Sequence, residues 1–72
     1  MQAWRRDDGR FYYALITEDL FGLVVMTAHG GLTPARVRSV PIGAVEEGEK
    51  ILADIGRRRL AHGYERHDVD AK

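Results

Sequence analysis

The side chains that could do chemistry in this chain are arginine, histidine and carboxylate. Arg5, Arg6, Arg10, Arg36, Arg38, Arg57, Arg58, Arg59 and Arg66 make up most of the 11 basic residues. A guanidinium presents a planar fork of donors suited to phosphate or carboxylate, whereas lysine is a point charge. Arg36 and Arg38 stand two apart in an extended run, so they share one strand face. They follow the break His29-Gly30-Gly31, and with His29 they would form a small basic patch able to hold phosphates without reading sequence. The competing reading is a solvated strand face.

Other chemistries find little support. His29, His62 and His67 lack the spacing of a metal-binding motif, and with no cysteine there is neither a thiolate site nor a thiol nucleophile. Ser39 and the threonines fall in strand or loop contexts with no base at a defined spacing. Glu46, Glu47 and Glu49 open a helix, where the dipole favours them. His29-Gly30-Gly31 lacks the spacing of a phosphate-cradling loop and no helix follows it directly. No nucleophile, acid–base pair or cofactor loop can be assembled. The expectation is a binding module, not an enzyme, with no cofactor and no metal.

At 72 residues, 44% hydrophobic and 31% charged, the chain is expected to form one globular domain held together by packing alone. Formal charge is zero, which by itself does not point to nucleic acid. The lack of cysteine suits a reducing compartment. The N-terminus lacks the pattern of a signal peptide, and no apolar run reaches the roughly 18–20 residues of a membrane span. A soluble, cytoplasmic protein is expected, without a membrane partner, as a monomer or a weak homodimer.

Periodicity supplies the elements that must position the basic residues. Phe11–Thr17 reads as a strand after the turn signal Asp7-Asp8-Gly9, with a short partner around Trp4. Because Phe11, Tyr12 and Tyr13 alternate sides, one is expected in the core and another at the surface, where it could stack on a base. Leu23–Ala28 forms a second strand across the turn Glu18–Gly22, and Arg36–Ile42 a third, with Pro41 marking an edge or an end. Its Arg-Val-Arg alternation predicts one wet face. From Ala44 to His62 the period becomes helical, with Val45, Gly48, Leu52, Ile55 and Arg59 on one face. Gly43 stands at the N-cap with Glu46 three residues on, and Gly63 is the expected left-handed C-cap. Gly48 inside the helix implies close approach to the sheet. The fold class is α+β: a small antiparallel sheet of three to five strands packed against one C-terminal helix. The core spans about residues 4–66, with 67–72 as a frayed tail.

Three segments carry a combined signal: Arg10-Phe11-Tyr12-Tyr13-Ala14-Leu15 followed by Glu18-Asp19-Leu20-Phe21-Gly22, then Ala28-His29-Gly30-Gly31 leading to Arg36-Val37-Arg38, then Arg58-Arg59-Leu60-Ala61-His62-Gly63-Tyr64. In this order they resemble the WGR domain, a small module of poly(ADP-ribose) polymerases and of short bacterial proteins. The first is similar to the bacterial branch, the second stands where the family places its Trp-Gly-Arg signature, and the third is similar to the family's basic helix end. Only the signature's glycine, Gly30, is kept; His29 replaces the tryptophan and Gly31 the arginine.

The resemblance implies a sheet-and-helix fold and binding of DNA, with His29, Gly30, Arg36, Arg38, Arg57 and Arg58 as the candidate contacts. The alternative is a protein-interaction module, favoured if Leu20, Phe21 and Leu32 form an exposed apolar patch.

Overall fold

A computed structural model of the chain describes residues 1–68. Its elements are β1 (Gln2–Arg5), β2 (Phe11–Asp19), β3 (Gly22–Gly30), β4 (Arg36–Pro41), α1 (Val45–Ala61) and β5 (Glu65–Arg66). The five strands form one sheet in the order β4-β3-β2-β1-β5, with antiparallel pairing throughout. One C-terminal helix packs on it, giving the α+β class expected from the sequence. The strand at Trp4 exists as β1, and β2 and β3 run to nine residues each, longer than their apolar stretches.

The turns at the two ends of β2 are built by local acids and glycines. Asp8 accepts the Arg10 amide at 3.1 Å, while Gly9 takes a positive φ of 95° to close the β1–β2 loop. At the opposite end, Asp19 accepts the Phe21 amide at 2.8 Å and Gly22 has φ 133°. This β2–β3 turn lifts Leu20 and Phe21 into solvent, each 96% exposed.

The sheet register separates two faces. Trp4, Tyr12, Ala14, Ile16, Val25 and Thr27 share the face beneath α1, because directly paired residues lie on the same side. Trp4 is 2% exposed and Val25 fully buried; these are the largest side chains at the centre of the core. Phe11, Tyr13, Leu15, Val24, Met26 and Val37 share the other face, which no helix covers.

Gly48 explains how closely α1 sits. A Cβ there would fall 2.7 Å from Ile42 Cδ1 and 2.8 Å from Ile16 Cδ1. The helix then crosses β2 in the opposite direction, so that Gly56 lies over Trp4 with room for a methyl at 3.4 Å. The two glycines should therefore respond differently to alanine. Gly56→Ala is expected to stabilise the domain by up to about 1 kcal/mol through helix propensity. In Gly48→Ala the same gain is offset by overpacking of about 1–3 kcal/mol. Thermal melts should place Gly56→Ala above the parent and Gly48→Ala at or below it.

The helix ends differ in how they match expectation. Ala44, not Gly43, is the N-cap, and with no side-chain oxygen it makes no capping bond. Instead Glu47, three residues on, accepts the Gly43 amide at 2.7 Å. The C-terminus closes as the sequence suggests: Gly63 has φ 82°, its amide donates to Leu60 O at 3.2 Å, and the Tyr64 amide donates to Arg59 O at 2.9 Å.

Beyond α1 the chain returns to β1, a departure from the tail expected after residue 66. The His67 amide donates to Ala3 O at 2.7 Å, and the Ala3 amide donates to Asp68 Oδ1 at 3.0 Å. Asp68 also accepts from Arg66 at 2.8 Å. Residues 69–72 of the expected tail lie outside the described residues. The bond from Arg66, then that from the Ala3 amide, holds the Asp68 carboxyl below its ordinary 3.8. A depressed folded-state value gives stability that is present above the unfolded value and lost as pH falls through the folded one. Asp68→Asn should thus lower the melting temperature near neutrality, and the gap to the parent should close as pH drops below 3.8.

Candidate functional site

One row of side chains crosses the helix-side face of the sheet. Register aligns Arg66 with Trp4, Trp4 with Tyr12, Tyr12 with His29 and His29 with Arg36, one residue from each strand. Both edges of the row end in a guanidinium. The Arg66 guanidinium lies 5.6 Å from the Trp4 ring, and the Tyr12 and His29 rings stack at 5.8 Å with 9° between their planes. Arg38 stands beside Arg36 on the same face, paired with Thr27. The sequence thus placed His29, Arg36 and Arg38 on adjacent strands, and in the structure they adjoin.

Arg59 completes the cluster from above. Its guanidinium lies 4.5 Å from the Tyr12 ring centroid and 5.3 Å from that of Tyr64. The helix C-cap holds Tyr64 in place by returning the chain after Gly63, and Arg6 approaches the outer side of the Tyr64 ring at 6.0 Å. Arg59 is half-buried, and its Nε is buried without a hydrogen-bond partner. Beside it opens a cleft of about 320 Å3, lined by Arg10, Tyr12, His29, Leu32, Arg59 and Tyr64 among others.

Few carboxylates offset these cations. Asp8 lies 3.7 Å from Arg6 and 3.4 Å from Arg10. Among the described residues none pairs with Arg36, Arg38, Arg58 or Arg59. Acids gather instead at the other end of the molecule, where the β2–β3 turn carries Glu18 and Asp19 and the first turn of α1 carries Glu46 and Glu47. The end that carries Arg5, Arg6, Arg10, Arg36 and Arg59 is the basic pole, with Asp7, Asp8 and Glu65 as its acids.

The remaining predicted contacts are placed less favourably. Arg57 pairs with Asp54 one helical turn before it, and its guanidinium is committed there. Arg58 is exposed in the last turn, and its carbonyl accepts the His62 amide. Gly30 closes β3 against Ala35 and the Phe11 ring: a Cβ there would lie 3.0 Å from Ala35 Cα and 3.2 Å from Phe11 Cζ. Arg10, Arg59 and Tyr64 are not among the residues that the sequence singles out for binding. For Arg59 a signal existed, since the helical period puts it on the sheet-facing side, where an unpaired cation is unusual.

Leu20, Phe21 and Leu32 do not form one patch. Leu20 and Phe21 cap the acidic pole, whereas Leu32, 60% exposed, borders the basic cleft beyond the other end of β3. Val37, on the side of β4 opposite the arginines, is 68% exposed, so the Arg-Val-Arg alternation does not separate a wet face from a dry one.

No family model, no curated protein and no solved structure matches this chain.

Proposed function

We propose that this chain is a non-catalytic nucleic-acid-binding module that holds the backbone of duplex DNA at its basic pole. The observation that carries this reading is the set His29, Arg36, Arg38 and Arg59 on one face, with no carboxylate paired to any of the three arginines among the described residues. Phosphate supplies the missing counter-charge, and each contact releases counterions. The Tyr12–His29 stack and the Tyr-flanked Arg59 make the surface stiff, so little side-chain entropy is lost on binding. The resemblance to the WGR family supports the same ligand. Gly30 and Arg58 stay in the candidate set as neighbours of this surface, and Arg57 only if it leaves Asp54.

Fluorescence anisotropy of a labelled duplex, titrated at several salt concentrations, tests the reading. Affinity should fall steeply with salt, and Arg36→Ala combined with Arg38→Ala should reduce the slope of log affinity against log salt by about two. A parent chain that leaves the duplex free even at low salt would sink the proposal. Leu32 lies apart, and the solvent-facing Leu20-Phe21 turn alone supports a second reading, a module that docks on a protein partner. In that case Phe21→Ser would abolish partner capture and leave DNA titrations unchanged.

A further inference from the structure

The sheet face away from α1 is as apolar as the face beneath it. An antiparallel sheet with one solvated face normally alternates apolar and polar residues. Here Phe11, Tyr13 and Leu15 on β2 line up with Gly30, Ala28 and Met26 on β3, and none of these carries a charge. Small residues flank the aromatic pair: Tyr13 stands between Ala3 and Ala28, and Phe11 leans over Gly30. The two rings lie 5.1 Å apart, tilted by 32°, and both are half-buried.

At the basic pole this aromatic floor meets guanidinium groups. Arg5 is the direct cross-strand partner of Phe11 on β1. Arg5, Arg6 and Arg10 surround a cleft of about 230 Å3 whose apolar wall is Phe11 and Tyr13. Asp7 also reaches this cleft, and Glu65 pairs with Arg5 at the sheet edge. Aromatic faces for stacking with adjacent cations for phosphates is the combination by which proteins hold unpaired strands, whereas a duplex keeps its bases hidden from such a surface.

We propose that the uncovered face of the sheet is a second binding surface, which takes single-stranded nucleic acid by stacking bases on Phe11 and Tyr13 beside the guanidinium of Arg5. It lies on the opposite side of the sheet from the duplex surface and meets it at one edge, where Arg10 and Phe11 line both this cleft and the one beside Arg59. A second copy of the chain fits less well. The face between β1 and β4 offers roughly 400 Å2, about half of the ~800 Å2 per partner of a stable protein interface.

The test is anisotropy with labelled oligothymidylate and oligouridylate of about 12 nucleotides at low salt. The variant is Phe11→Leu with Tyr13→Leu, which keeps apolar cover but removes the stacking faces. Single-strand affinity should fall by about tenfold or more, while the dependence of duplex affinity on Arg36 and Arg38 stays unchanged. Binding of both oligonucleotides, or of one alone, supports the proposal if the leucine variant weakens it. Because the double variant could lose its fold, photocross-linking of the parent chain to 5-iodouracil oligonucleotides gives a separate readout. Adducts should map to Phe11 or Tyr13. Failure of both strands to bind, binding unaffected by the folded leucine variant, or adducts confined to other residues would each overturn the proposal. So would a parent chain that sediments as a dimer and becomes monomeric in the leucine variant.

Discussion

Gly31→Arg is expected to lower the stability of the domain by about 2 kcal/mol or more, and with it the melting temperature by roughly 10 °C. On the resemblance argument the same change restores the arginine of the Trp-Gly-Arg signature, so improved DNA binding would be the naive forecast. The backbone says otherwise. Gly31 has φ 121°, a conformation that side-chain-bearing residues rarely adopt. A Cβ there would run into the Gly9 carbonyl and lie 2.7 Å from Arg10 Cα. Both neighbours are backbone, which cannot swing aside as a side-chain tip can. The β3–β4 loop is thus pressed against the β1–β2 loop at the one point where only glycine fits. Circular dichroism melts of the parent, Gly31→Ala and Gly31→Arg check this, with both variants expected to fall well below the parent. If Gly31→Arg keeps the parental melting temperature, the loop has another conformation and the packing argument is wrong.

Trp4→Ala should have the largest effect of any single truncation. The indole is 2% exposed, beneath Gly56 of α1, beside Tyr12 and under the Arg66 guanidinium, and its Nε1 donates to Gln2 Oε1 at 3.0 Å. Truncating a buried aromatic costs about 3–5 kcal/mol. A domain of this length has only about 4–11 kcal/mol in total. The variant should therefore be largely unfolded at physiological temperature or melt very early, while Trp4→Phe, which refills most of the volume, should remain folded. Because Trp4 is the sole tryptophan, far-ultraviolet circular dichroism must replace indole fluorescence as the readout. A cooperative melt for Trp4→Ala within a few degrees of the parent would show that the core does not depend on this ring.

The parts of the structure that could be read from sequence are those where local chemistry decides. Asp8 and Gly9, and Asp19 and Gly22, form their turns from their own side chains and torsions. Gly63 and Tyr64 close the helix through backbone bonds within one turn. The N-cap lies one residue later than the sequence suggests, since neither Gly43 nor Ala44 has a side-chain oxygen to mark the boundary, and which glutamate reaches back depends on the helix phase. Arg36 and Arg38 were legible as a pair because period two fixes their side. Alternation along β4 could not say whether a layer covers either side, and as an edge strand β4 is wet on both. In the run Arg57-Arg58-Arg59 the helical period sets Arg59 apart on the sheet-facing side, but its seat between two tyrosines needed the tertiary fold. The separation of Leu32 from Leu20 and Phe21 likewise follows from β3 being nine residues long, a length its apolar run understates.

β1 to β4 form a meander in which every pairing joins neighbours in the chain, and α1 follows directly. β5 alone must find a strand from the far end of the sequence. Loop closure of that span is entropically slow compared with the hairpins. Until β5 pairs, the outer edge of β1 is open. An open edge is a template on which another strand can pair. The two residues of β5, fastened by Asp68 to Ala3 and Arg66, act as a latch on that edge. Their value is greatest during assembly, when many half-finished copies share the same solution and an unlatched β1 would invite them to pair with one another.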